Sequence, residues 1–137
     1  MKREITKIII HCSDTREGQE ITAADIDWWH RERGWSGIGY HYVVKLDGVI
    51  EYGRPVSKIG AHVKGHNSKS IGICYIGGKD KDFKEIKDTR TEEQKCSLYH
   101  LLITLKRLHP KAVIHGHRDF STKECPSFDA TKEYEKI

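Results

Sequence analysis

The chain of 137 residues has no long apolar run, no CxxC pair, only three prolines and one methionine, and no block of like charge. Each absence excludes something. The apolar stretch near its start, Ile5 to Ile10, is short and interrupted by Lys7, which is too little for a signal-peptide core or a membrane span. The expectation is therefore synthesis in the cytoplasm, without a signal peptide and without a transmembrane segment. Cys12, Cys74, Cys96 and Cys125 are widely spaced, so the chain is not a cysteine-dense secreted miniprotein, and a metal role for any cysteine must come in combination with histidine. The 24 basic and 20 acidic residues, net +4, are spread along the sequence. With no Arg-rich arm or basic helix, nucleic acid is not an expected partner.

What is there describes one α/β domain. Charged residues make up 32% and apolar ones 36%, with three Trp and six Tyr, a globular composition on a chain of single-domain length. Thr6 to His11 reads as a β-branched strand covered on both faces. Thr22 followed by Asp25 resembles a capping arrangement, and Ile26, Trp29 and Arg33 then recur at helical spacing until Gly34. Tyr40 to Leu46, Asp47-Gly48 and Val49 to Tyr52 read as a β-hairpin. Ser70 to Ile76 is a buried strand between glycines, and residues 79 to 90 are a polar surface excursion. Thr91-Glu92-Glu93-Gln94 is a capping box, and Leu98, Leu101, Leu102, Leu105 and Leu108 line one face of a long helix. Ala112 to His115 reads as a last strand, and Ser127 as the cap of a short C-terminal helix. The expected fold is a central mixed sheet of five or six strands flanked by two main helices and the short one.

Metal-ligating residue types stand where the strands end. His11 closes the first strand, His115 and His117 flank the end of the last, and Cys125 follows in a loop ending in Pro126. Hydrolytic zinc takes three protein ligands, commonly His with Cys or a carboxylate, and keeps a fourth position open. Spacing does not choose between His115 and His117, because alternate residues of an extended segment face the same side.

The segments Ile9-Ile10-His11-Cys12-Ser13, Trp29-His30, Gly34-Trp35, Gly39-Tyr40-His41, Asp47-Gly48, Gly60-Ala61-His62, Ser70-Ile71-Gly72-Ile73, Gly77-Gly78 and Lys123-Glu124-Cys125-Pro126-Ser127-Phe128 together resemble one family. It is that of the zinc-dependent N-acetylmuramoyl-L-alanine amidases, of the bacteriophage lysozyme and peptidoglycan recognition protein type. The likeness runs through positions 9 to 128. It implies Zn2+ in a surface groove held by His11, His117 and Cys125, the second histidine lying eight residues before the cysteine, as His117 does. It also implies catalytic roles for Tyr40 and Lys123, and a substrate wall that includes His62, Asn67 and Ser70. The implied reaction is hydrolysis of the amide between N-acetylmuramic acid and L-alanine in peptidoglycan or a muropeptide, by a monomeric phage or prophage lysin acting on the cell wall after release or delivery. The other reading of the same resemblance is a peptidoglycan-binding module without catalysis. His41, Cys12 and Cys74 are expected to be structural, His115 to stand behind the ligands or be structural, and His100 and His109 to be solvent-exposed or to offset the helix C-terminus.

Overall fold

Unbroken β-branched runs need cover on both faces, and the two in this chain form the middle of its sheet. The computed structural model describes residues 3–137, so Met1 and Lys2 of the charged opening lie outside the described residues. In chain order the elements are β1 (Lys7–Cys12), β2 (Thr15–Arg16), α1 (Ala23–Glu32), β3 (Tyr42–Val44), β4 (Ile50–Tyr52), β5 (Ser70–Tyr75), β6 (Gly78–Lys79), α2 (Glu92–Leu108), β7 (Val113–Gly116) and α3 (Ala130–Glu133), with 3-10 turns at Asn67–Lys69 and His117–Asp119. The main sheet has the order β4-β3-β5-β1-β7, and β2 pairs with β6 beside it. β1 runs parallel to both β5 and β7, β3 is parallel to β5, and only β4 is antiparallel. This is the mixed α/β sheet expected, at five strands.

Strand alternation sorts the core into two layers. Ile8, Ile10 and Cys12 of β1, with Ile71, Ile73 and Tyr75 of β5, pack against Leu98, Leu102 and Leu105 of α2 and against Phe128, Ala130 and Tyr134. On the other face Val43, Cys74 and Ile76 meet Ile21, Ile26 and Ile38. His11 therefore faces the α1 side, between Ile10 and Cys12, which face α2.

Both capping boxes form. The Thr22 side chain accepts from the Asp25 backbone and Asp25 from that of Thr22, while Thr91 and Gln94 do the same for α2. The hairpin is narrower than expected, since β3 begins at Tyr42 and leaves Tyr40 in the segment before it. Its turn holds Gly48 at φ 85, with Lys45 N–H donating to Val49 and Gly48 N–H to Lys45. That is a three-residue loop with glycine at its left-handed position.

Three expectations need correction. Leu108 does not belong to the buried face of α2 but is exposed, as the last residue of the helix, beyond the buried Leu105. Ser127 does not cap α3; Asp129 does, accepting from Lys132 N–H, while Ser127 adopts φ 75 and donates through Oγ to the Gly78 carbonyl. The excursion at 79–90 ends buried: Arg90 pairs with Asp88 and Glu133, donates to the Tyr134 hydroxyl and lies 3.4 Å from the Phe128 ring centroid. These contacts tie α3 back to the body of the protein.

Candidate metal centre and active site

In parallel strands the C-terminal ends lie together, so loops leaving β1 and β7 emerge side by side. β1 delivers His11 there. β7 ends at Gly116, and the 3-10 turn that begins at once with His117 breaks the strand alternation. His115 and His117 therefore diverge: His117 has its ring centroid 4.6 Å from that of His11, whereas His115 points its Nδ1 at Asp119, 3.3 Å away, and packs its ring against Phe120. The loop carrying Cys125 is pinned from several sides. Arg118 N–H donates to the Cys125 carbonyl at 2.7 Å, the Tyr75 hydroxyl donates to that of Pro126 at 2.7 Å, and Pro126 packs where a Cβ on Gly116 would stand.

One ligand atom each from His11, His117 and Cys125 lies within 4.8 Å of the others. The donor set suits a borderline-soft divalent ion: two imidazoles, one sulfur and no carboxylate. The electrostatics suit it too. Burial, with His62, His117 and Lys123 nearby, holds His11 well below the usual histidine range, and burial with Lys123 lowers His117, so both rings are neutral and have a lone pair to offer. In the absence of a cation, the neighbouring Cys12 thiol and burial push the Cys125 thiol up. Opposing this, the Cys12 backbone N–H donates to Cys125 Sγ at 3.1 Å, a contact that favours thiolate character once a cation is at hand.

The cluster opens on a cleft of about 500 Å³ lined by Tyr40, His117, Lys123 and Cys125, together with Trp29, Arg33 and Lys79. Tyr40 has its ring 5.0 Å from that of His11. The segment before it is fixed by His30, whose Nδ1 accepts from Gly39 N–H at 2.9 Å, and its carbonyl accepts from Arg54 N–H at 2.8 Å. Burial pushes the Tyr40 phenol well above its ordinary value, which keeps it a hydrogen-bond donor at neutral pH. Lys123 is exposed at the rim of the cleft.

His62, Asn67 and Ser70 are not among the residues lining this cleft. His62 Nδ1 lies 2.8 Å from Nε2 of His11, and its Nε2 lies 3.1 Å from Oγ of the fully buried Ser70. Asn67 Oδ1 accepts from the backbone N–H groups of His62 and Val63, both at 2.9 Å, a local turn contact. Of the histidines read as structural, His41 accepts from Gly72 N–H through Nδ1 and donates to the Lys58 carbonyl through Nε2. Sequence reasoning missed the two supports of the site, the Cys12 backbone N–H and the His62 ring. No periodic signal marks either, since each contact joins distant parts of the chain.

An α/β sheet carries a His/His/Cys cluster that could hold a metal ion, open to a cleft with a tyrosine and a lysine, a set of residue types suited to hydrolysis. Residues 1–128 match the N-acetylmuramoyl-L-alanine amidase family, and the chain belongs to that family. It is 41% identical over 136 residues to the endolysin of Escherichia phage T7, covering 98% of this chain and 89% of that one. The endolysin of Klebsiella phage KP32 is 40% identical over the same length and coverage. Among solved structures, the N-acetylmuramoyl-L-alanine amidase LysC from Clostridium intestinale URNW superposes with a TM-score of 0.81 at 32% identity, over 96% of this chain and 82% of that one. Among the described residues no helix is long and apolar enough to cross a membrane.

Proposed function

We propose that the chain is a zinc-dependent amidase that cleaves the bond between N-acetylmuramic acid and L-alanine in peptidoglycan, in the manner of a phage endolysin. The observation that carries this reading is the convergence of His11, His117 and Cys125 on one cleft with Tyr40 and Lys123. Family membership and near full-length similarity to phage endolysins support the substrate class and the setting.

His11, His117 and Cys125 would hold the ion. When bound, zinc supplies Lewis acidity and lowers the pKa of a coordinated water to about 7, from about 15.7 in bulk. The remaining work falls to side chains. Tyr40, kept protonated by burial, donates a hydrogen bond to the oxygen that becomes negative as the carbonyl is attacked. Lys123 brings positive charge to the same side of the cleft and delivers the proton that the leaving amine needs. Trp29, Arg33 and Lys79 on the cleft wall offer an aromatic face and two cations to a substrate bearing sugar and carboxylates. The protein acts as a monomer.

Incubation of the zinc-loaded protein and of its Cys125→Ala variant with purified muropeptides, followed by mass spectrometry, tests the proposal. The expected products are free glycan and intact stem peptide, with zinc content and turnover both lost in the variant. Cleavage between sugars, or full activity without Cys125, would refute it. Binding without turnover by the loaded protein would replace it with a recognition domain.

A further inference from the structure

We infer that His62 and Ser70 form a positioning chain, which sets the tautomer and orientation of His11 as a metal ligand. The inference rests on the zinc reading above and follows from which nitrogens are already engaged. Nε2 of His11 faces Nδ1 of His62 at 2.8 Å. That leaves Nδ1 as the nitrogen of His11 available for a cation, and a neutral ring that ligates through Nδ1 carries its hydrogen on Nε2. His11 therefore donates to His62. Having accepted at Nδ1, His62 carries its own hydrogen on Nε2 and passes it to Ser70 Oγ, 3.1 Å away. All three groups are satisfied in one direction only, from the ligand through His62 to the serine hydroxyl.

The surroundings are shaped to keep the His62 ring in this place. A Cβ on Gly72 would come within 2.7 Å of the ring, and one on Gly60 within 2.8 Å, so two glycines leave the space that the imidazole fills. Asn67 fixes the backbone of His62 from the other side. Neither His62 nor Ser70 reaches the cleft lining. Second-layer partners of this kind raise the basicity of the ligand and limit its rotation, and their loss typically costs about 10–100-fold in metal affinity.

The test measures zinc affinity directly, by competition with a chromophoric chelator, on the full chain and on three variants. His62→Ala is expected to weaken zinc binding by about 10–100-fold, and Ser70→Ala by less. His62→Gln, whose amide oxygen can accept from His11, is expected to recover most of the affinity. Turnover of the variants at saturating zinc is expected to show an unchanged KM for muropeptide. Nitrogen NMR of the labelled unaltered protein with zinc should report an Nε2–H tautomer for both His11 and His62, a reading that does not depend on the variants folding. Unchanged zinc affinity with a raised KM in His62→Ala, or an Nδ1–H tautomer at His62, would overturn the inference while leaving the zinc site intact. Failure of the unaltered chain to bind zinc would overturn both.

Discussion

Tyr40 sits 5.0 Å, ring to ring, from one proposed ligand and 5.6 Å from the buried His30 behind it, and its hydroxyl is the only part of it that amide hydrolysis needs. Tyr40→Phe is therefore expected to lower kcat by about 10²-fold with KM and zinc content nearly unchanged. Because burial keeps the phenol protonated, the alkaline limb of the kcat profile should keep its position. Steady-state kinetics across pH check this, and a lost or displaced limb would make Tyr40 the titrating acid. The residue types of the centre were legible in the sequence: two histidines and a cysteine at strand ends are candidate metal ligands without any fold in view. The choice of His117 over His115 was not legible from period. It depends on the chain leaving the extended conformation at Gly116, a backbone event of a single residue. The contact of the His62 ring with His11 was not legible for a related reason, since it joins residues 51 positions apart.

α2 reaches the sheet through its first turn. Gln94 completes the capping box, accepting from Thr91 N–H, and is fully buried, with Nε2 donating to the Val44 and Ile76 carbonyls at 3.2 and 3.0 Å. One side chain thus caps the helix and ties the ends of β3 and β5 to it. Thr91→Ala removes the cap together with the hydroxyl's donation to the Leu46 carbonyl, and should cost about 1 kcal/mol. Gln94→Ala also strands buried polar groups, for a loss of roughly 2–3 kcal/mol. Urea unfolding of the two variants separates the contributions, and equal losses would mean that the contacts to the strands contribute little. At this scale the sequence was read well, because capping boxes, a glycine turn and i, i+3, i+4 leucines are local signals. Leu108 and Ser127 depart from expectation where tertiary packing decides: one is exposed as the last residue of its helix, the other lies in a loop already committed to the Gly78 carbonyl.

Across the whole molecule, burial of neutral histidines couples stability to pH. Burial is the main cause holding both His30 and His41 at about 4 in the folded protein, against about 6.5 in an unfolded chain. In each ring one nitrogen accepts a backbone N–H, so the fold binds the neutral form. Below about pH 6.5 the unfolded chain takes up protons that the folded one refuses, so stability is full above that value and falls as the pH drops toward 4. Urea midpoints measured between pH 7 and 4 should decline steadily over this interval; a constant or rising midpoint would contradict the assignment. Arg90, with Asp88, Glu133 and Tyr134 around it, acts at the same scale by joining the excursion to the C-terminal helix. It was hidden in a polar stretch whose composition suggests solvent.

By itself the sequence determined the helices, the hairpin, the alternating core and the kinds of ligand, because each is written in neighbours a few residues apart. Only the tertiary structure decided which backbone N–H supports the Cys125 sulfur and which ring stands behind His11. Those contacts join residues up to 113 positions apart. They exist because parallel strands bring their C-terminal ends together, and no local pattern encodes that.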